Sequence, residues 1–138
     1  MEKLVRLNDR TFRLYKSESE IIAVIRDMAG KINDDYIGKR PLLIPILNGS
    51  FMFASDLLKE LKLDCELTFV KAVSYNGTNS TGQLATLIGL NENLKDRHVL
   101  IIEDIVETGH TLAKILPTFL EQKPASLKIA SLLLKPLA

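Results

Sequence analysis

The sequence has little of several features that would assign it at once to a class of protein. Cys65 is the only cysteine in 138 residues, which excludes an intramolecular disulfide framework and favours a reducing compartment. No apolar run approaches the about 20 residues that a membrane-spanning helix needs, and residues 1–6 contain no apolar core of a secretory signal. The formal net charge is only +1, so bulk charge favours neither nucleic acid nor an anionic membrane as partner. We therefore expect a cytoplasmic protein that binds no nucleic acid and no membrane.

Two common nucleotide-binding patterns are also missing. Neither Gly-x-x-x-x-Gly-Lys-[Ser/Thr] nor Gly-x-Gly-x-x-Gly occurs, so neither a P-loop nor a dinucleotide-binding fold is indicated. The remaining composition is ordinary for a globular protein, with 46% apolar and 25% charged residues. The length suffices for one hydrophobic core, and we expect a single domain over residues 1–138.

Apolar runs alternate with amphipathic stretches along the chain. Ser17 and Glu20 have the spacing of a capping box, and apolar residues at helical spacing then predict a helix to about residue 34. Strands are predicted over residues 41–47, 65–73, 99–102 and 127–134, and further helices over 51–61 and 111–120. This alternation predicts an α/β fold with a mainly parallel sheet flanked by helices. Pro45 argues against regular pairing of the first strand, because it has no N–H to donate.

Residues 99–111 carry the strongest functional signal. A buried strand ends in Glu103 and Asp104, a third acid, Glu107, follows, and Thr-Gly-His-Thr at 108–111 leads into a helix. In an open α/β sheet, ligands bind at the carboxyl ends of the strands, and a helix N-terminus offers free N–H groups to phosphate. Three carboxylates would repel a bare phosphate, whereas ribose hydroxyls donate to carboxylates and magnesium bridges acid and phosphate. The pattern therefore predicts a site for a phosphorylated ribose; the alternative is that the acids only end a strand and Thr108 only caps a helix.

Two other segments have both a structural and a functional interpretation. Asn48-Gly49-Ser50 is a small-residue turn between a strand and a helix, and by itself it indicates an ordinary βα connection. Residues 74–82 are small and polar, and Asn76-Gly77 is a hairpin-turn signal. This segment is either a long hairpin loop, with a returning strand over residues 84–90, or a mobile lid.

Residues 99–111 resemble the phosphoribosyl-pyrophosphate motif of the type I phosphoribosyltransferases, and they are most similar to its hypoxanthine-guanine branch. The resemblance extends over nearly the whole chain. It implies transfer of the phosphoribosyl group of phosphoribosyl pyrophosphate to a 6-oxopurine, hypoxanthine or guanine, with release of pyrophosphate and with Mg²⁺ as cofactor. We also expect a homodimer or a homotetramer.

The resemblance also implies roles for individual residues. Glu103 and Asp104 would hold the ribose diol and the metal ion, and Glu107 would lie near purine N7 as an acid–base group. The other implied contacts are a 5′-phosphate cradle of Glu107, Thr108, Gly109, His110 and Thr111, a pyrophosphate turn of Leu47, Asn48, Gly49 and Ser50, a catalytic loop that starts at Ser74 and Tyr75, and Lys135 at the purine 6-oxo group.

The chain departs from the family pattern at several places. Asn48 stands where many members have lysine, so a fixed positive charge near pyrophosphate is missing, and Glu107 stands where most have aspartate. The turn of purine enzymes often contains a cis peptide, which here would be Leu47–Asn48. The sequence ends at Ala138, before the part that completes the purine-binding hood in the family. We therefore expect the chain to lack the C-terminal part of that hood.

Two alternatives to the hypoxanthine-guanine activity stay open. One is a phosphoribosyltransferase that prefers xanthine, because the absent C-terminal part would read the 2-position of the purine. The other is a non-catalytic regulator that keeps the sugar-phosphate site and binds RNA or a protein. A regulator of that kind is expected to have a basic face, which a chain near neutrality does not favour.

Overall fold

Three helices and eight strands occupy the described part of the chain, which comprises residues 4–7, 10–13, 17–76, 83–106 and 110–134 of a computed structural model. The helices are α1 (Glu18–Asp35), α2 (Phe51–Glu60) and α3 (His110–Leu120). The strands are β1 (Leu4–Leu7), β2 (Arg10–Arg13), β3 (Leu42–Leu47), β4 (Glu66–Leu67), β5 (Val70–Asn76), β6 (Gln83–Ile88), β7 (His98–Val106) and β8 (Ser126–Leu134). The single strand predicted over residues 65–73 is wrong, because it is divided into β4 and β5.

The strands of the main sheet are parallel except at one edge. Their order is β6-β5-β3-β7-β8, and β4 pairs with β3. β3, β5, β7 and β8 run parallel, whereas β6 returns antiparallel to β5. β1 and β2 form a separate antiparallel ribbon. The predicted mainly parallel sheet with flanking helices is confirmed.

Helix α1 begins where the sequence predicted. The Ser17 hydroxyl accepts a hydrogen bond from the backbone N–H of Glu20 at 3.2 Å and donates one to the Glu20 carboxylate at 3.1 Å. The cap satisfies one of the N–H groups that a helix start leaves without a partner. The helix then buries Ile25, Ala29 and Ile32 against the sheet layer.

Apolar side chains fill the space on both faces of the sheet. On one face, α1 and α2 pack on a core to which β3 contributes Leu43 and β7 contributes Leu100 and Ile102. On the other face, α3 packs through Leu112, Ile115 and Phe119 on Leu42, Ile44, Ile46, Val70, Val99 and Ile101. Because both faces are covered, β3 and β7 read as continuous apolar runs rather than as alternating ones.

Pro45 interrupts the pairing of β3 on one side only. β4 pairs with β3 up to Leu43, and β5 pairs with it from Ile46 onwards. The N–H of Thr68 donates to the Leu43 carbonyl at 3.0 Å, so the backbone polar groups of Leu43 point toward β4 and β5. Those of Pro45, two residues later, point to the same side. The missing N–H of Pro45 falls in the gap between β4 and β5, while its other side stays paired with Ile102 of β7.

The start of β7 contacts both β8 and the end of α1. His98 is half-buried, and its Nδ1 lies 2.8 Å from the Ser126 hydroxyl. Its ring also meets the buried ring of Tyr36 edge to face, with centroids 6.5 Å apart. None of the three described helices combines the length and the apolar character needed to cross a membrane.

Candidate functional site

The carboxyl ends of β3 and β7 lie close together at one end of the sheet, and the start of β5 lies beside the end of β3. The register pairs Leu47, the last residue of β3, with Lys71 of β5, and it pairs Pro45 with Ile102 of β7. The next residues on β7 are Glu103 and Asp104. The turn after β3 and the acidic end of β7 therefore meet at the edge where α/β sheets bind ligands.

The turn after β3 leads directly into α2. The Leu47–Asn48 peptide is cis, as the family resemblance implied. Ser50 is fully buried, and its hydroxyl donates to the Ile46 carbonyl instead of capping the helix. The N–H of Phe51 donates to the Asn48 carbonyl at 3.4 Å. Because no side chain caps α2, the following N–H groups of its first turn can bind water or an anionic ligand.

Gly49 and Asp104 bring the two motifs into contact. A Cβ added at Gly49 would lie 2.7 Å from Asp104 Oδ2 and 3.1 Å from its Cγ and Oδ1. Only a residue without a side chain lets the carboxylate approach the turn this closely. By its sequence alone, Gly49 indicated only an ordinary βα connection. In the structure it lies directly beside the Asp104 carboxylate.

Glu103 is half-buried beside Asp104, and its carboxylate accepts the backbone N–H of Asp104 at 3.1 Å. Burial, followed by the hydrogen bond and the charge of the neighbouring Asp104 side chain, raises the pKa of Glu103 to about 7, from an ordinary 4.5. The acid pair therefore resists full ionisation near neutrality. Hydroxyl donors or a cation beside it would relieve the repulsion.

This acid pair fits Mg²⁺ only together with a ligand. Within the described ranges, no group of three or more His, Cys, Asp or Glu residues is placed to hold a metal ion. Mg²⁺ prefers oxygen donors and is usually held by one or two carboxylates together with substrate phosphates and water. Glu103 and Asp104 supply carboxylates of that kind, so the donor set suits a metal that arrives with a phosphorylated substrate.

The structure places some of the other predicted site residues and leaves several outside its described part. Ser74 and Tyr75 lie in β5, paired with Ala85 and Leu84 of β6, so the returning strand of the predicted hairpin is confirmed. His110 and Thr111 are the first residues of α3, which follows the acidic end of β7. The residues outside the described ranges are the loop 77–82, Glu107, Thr108, Gly109 and Lys135.

No local sequence pattern predicted a role for Lys71, the strand neighbour of Leu47. Lys71 is exposed and lies at the level where β3 ends and the turn begins. The register between the parallel strands β3 and β5 identifies Lys71 as a residue of the site. That register follows from how β5 docks on β3, and no local sequence pattern reports it.

The raised pKa of Glu103 predicts an unusual dependence of stability on pH. Between about pH 4.5 and 7, Glu103 of the folded protein keeps a proton that the same group in the unfolded chain, with a pKa of 4.5, has lost. Stability therefore falls as pH rises from about 4.5 through 7. Glu103→Gln removes this cost and is expected to stabilise the ligand-free protein at pH 8 by about 1–2 kcal/mol, after discounting for solvent screening.

Thermal unfolding from pH 4.5 to pH 8 measures this effect. Glu121→Gln, at an exposed residue just after α3, is the control and should follow the parent curve. An unchanged slope in Glu103→Gln would show that the acid pair does not hold a proton.

A parallel sheet with a small-residue turn and an acidic strand end at one ligand edge defines the class of protein. The family of the phosphoribosyl transferase domain matches residues 14–137, and the chain belongs to this family. Its type I arrangement, with a mainly parallel sheet and flanking helices, is confirmed by solved relatives.

Several sequence relatives are purine enzymes. The chain is 38% identical over 120 residues to the hypoxanthine-guanine-xanthine phosphoribosyltransferase of Tritrichomonas foetus, covering 87% of this chain and 66% of that protein. It is 38% identical over 130 residues to a hypoxanthine-guanine phosphoribosyltransferase of Streptococcus agalactiae, covering 94% and 72%. This chain spans about two thirds of the length of such relatives.

Solved structures agree with the sequence relatives. A hypoxanthine-guanine phosphoribosyltransferase from Bacillus anthracis superposes with a TM-score of 0.78 at 32% identity, covering 88% of this chain and 71% of the other. A Trypanosoma cruzi hypoxanthine phosphoribosyltransferase superposes with a TM-score of 0.78 at 28% identity, covering 97% and 83%.

Proposed function

We propose that this protein is a purine-salvage transferase that joins hypoxanthine or guanine to phosphoribosyl pyrophosphate, forming the nucleoside monophosphate and pyrophosphate. The proposal rests on the close approach of the Asp104 carboxylate to Gly49, where a Cβ would lie only 2.7 Å from Oδ2. This close approach joins a turn suited to phosphate with an acid pair suited to ribose hydroxyls and a metal ion. The names of the relatives in the purine branch support the choice of base.

Each part of phosphoribosyl pyrophosphate has a matching part of the site. Glu103 and Asp104 accept hydrogen bonds from the ribose diol, because carboxylates are the acceptors that vicinal hydroxyls need. Residues 107–111, at the start of α3, hold the 5′-phosphate with N–H and hydroxyl groups. Residues 47–50, at the start of α2, hold pyrophosphate, and both helix N-termini favour the negative charge.

Mg²⁺ would be held by Glu103 and Asp104 together with phosphate oxygens. When bound, it neutralises the pyrophosphate and so stabilises the charge that develops on the leaving group. The protein's own acid pair remains close to the ribose. This matters because positive charge builds on the sugar ring as the bond to pyrophosphate breaks.

The purine side of the site needs groups beyond the acid pair. In the reaction, a bond forms between purine N9 and ribose C1′ while the bond between C1′ and the pyrophosphate oxygen breaks. Glu107 takes or gives a proton at N7, and Lys135 donates to the 6-oxo group. Ser74 and Tyr75 lie in β5 just before residues 77–82, and this part of the hairpin would close over the site and exclude water.

Nucleotide formation from each base tests this proposal. The protein is incubated with phosphoribosyl pyrophosphate, magnesium and, separately, hypoxanthine, guanine or xanthine. We expect product with hypoxanthine or guanine, whereas product with xanthine alone would support the xanthine-preferring alternative. Binding of phosphoribosyl pyrophosphate without product from any base would contradict the proposal and favour a non-catalytic regulator.

Magnesium should be required for this activity. Without a cation, Glu103, Asp104 and Glu107 would repel the pyrophosphate group, so an excess of chelator is expected to abolish product formation. Adding back magnesium should restore it. Full activity in the chelator would show that the acid pair does not work with a metal ion.

The expected assembly and location remain predictions. A homodimer or homotetramer is expected, and in the Trypanosoma cruzi relative the C-terminal region has a role in the oligomeric state of that protein. The single, half-buried Cys65 is consistent with the reducing cytoplasm expected from the sequence.

A further inference from the structure

The two site segments carry no positive side chain to balance the negative charge of the proposed pyrophosphate ligand. Neither residues 47–50 nor residues 103–111 contain a lysine or an arginine, whereas the second segment contains three acids. Pyrophosphate is densely anionic, and a magnesium ion neutralises only part of its charge. A further cation at the turn would lower the electrostatic cost of binding.

Lys71 lies where such a cation is needed. It is the register partner of Leu47 on the adjacent parallel strand, and paired strands lie only about 4.8 Å apart. The turn Asn48–Ser50 starts at the next residue. The four-carbon stem of a lysine is flexible enough to carry its ammonium group from this position to the turn.

The face of the sheet on which Lys71 lies supports this placement. Its neighbours Val70 and Ala72 pack on the α3 side of the sheet, and alternation along the strand therefore puts Lys71 on the α2 side. The side chain is exposed, and no described side chain forms an ion pair with it. The turn and the first residues of α2 are on the same side.

We propose that Lys71 binds the pyrophosphate group of the substrate from the neighbouring strand and supplies the positive charge that Asn48 lacks. The inference rests on the proposed function, because it concerns the pyrophosphate part of that site. Asn48 contributes polarity without charge, and the cation is provided by a residue of β5, the strand that pairs with the end of β3.

Binding of magnesium pyrophosphate, measured by isothermal titration, tests the role of Lys71. Lys71→Gln is expected to weaken binding about five- to tenfold, in the range of a charge-assisted contact reduced by solvent screening. Lys71→Arg, which keeps the charge, should stay within about twofold of the parent. The loss in Lys71→Gln should shrink as salt is raised, because screening weakens the contribution of an exposed charge.

Lys128→Gln is the matched control. Lys128 is an exposed strand lysine on β8, paired with Leu100 of the α1 and α2 core, so it lies on the same face of the sheet but at another strand. It should bind magnesium pyrophosphate as the parent does. Equal weakening in Lys128→Gln would overturn the proposal, because the effect would then be one of bulk charge.

Two further outcomes would overturn the role of Lys71. They are unchanged binding in Lys71→Gln, and no measurable binding of magnesium pyrophosphate to the parent. The nucleotide-formation assay distinguishes failure of this inference from failure of the proposed function. If the parent forms nucleotide and Lys71→Gln binds magnesium pyrophosphate as well as the parent does, only the role of Lys71 is excluded and the proposed function stands.

Discussion

Glu107→Gln is expected to lower turnover by roughly 10²–10⁴-fold, which is the usual contribution of a positioned general acid or base. In the sequence the residue comes directly after Val106, the last residue of β7, and the family resemblance implies that it lies near purine N7. Glutamine keeps the size and polarity of the side chain but cannot accept the proton. The loss should therefore appear in kcat, with little change in the KM for phosphoribosyl pyrophosphate.

Glu107→Asp provides the matched comparison. Aspartate is the residue that most of the family has here, and it is one methylene shorter. Proton transfer requires that the carboxylate lie within hydrogen-bond distance of N7, so the length of the side chain is the first requirement and its pKa the second. We expect this variant to stay within about tenfold of the parent. Steady-state kinetics at saturating phosphoribosyl pyrophosphate measure both variants, and parent-like turnover in Glu107→Gln would exclude acid–base catalysis by this residue.

Gly49→Ala is expected to lower kcat/KM by about 10²-fold, the order of loss that a displacement near 1 Å causes at a reacting centre. The added Cβ would lie 2.7 Å from Asp104 Oδ2, which is too close for a non-bonded contact. The carboxyl group is the end of a short side chain and can rotate away. Stability should therefore change little, while the acid pair loses the position from which it holds the ribose.

Gly30→Ala is the control for this substitution. Gly30 is exposed within α1, and a Cβ there would meet nothing within 4 Å. The change should leave kinetics unaltered and stabilise the helix by about 0.5–1 kcal/mol, because alanine loses less backbone entropy than glycine. Thermal unfolding checks that both variants are folded. Parent-like kcat/KM in folded Gly49→Ala would show that the close approach of Asp104 is not needed.

Local patterns predicted the elements with a short-range cause. The start of α1 follows from Ser17 and Glu20, whose hydrogen bonds join residues three apart. β3 and β7 follow from apolar runs, and the hairpin of β5 and β6 follows from two strand-like segments that are close together in the sequence. The cap of α1 and the pairs of the hairpin join residues that are near one another in the chain, and the two apolar runs are recognisable without their partners.

Other features depended on contacts that no local pattern reports. The predicted strand at 65–73 divides into β4 and β5 beside Pro45, because the missing N–H of proline falls in that gap. The side chains of Ser126 and Tyr36 partly cover His98. These partners belong to elements that are distant in the sequence.

Residue types and spacings of a few positions were enough to predict the α/β class, the acidic corner of Glu103 and Asp104, and the resemblance to the phosphoribosyltransferases. The close approach of Asp104 to Gly49 and the position of Lys71 beside Leu47 became evident only from the folded structure. Those relations depend on which strands become neighbours and in which register. That choice is made by the packing of the helices and the sheet, which join residues tens of positions apart.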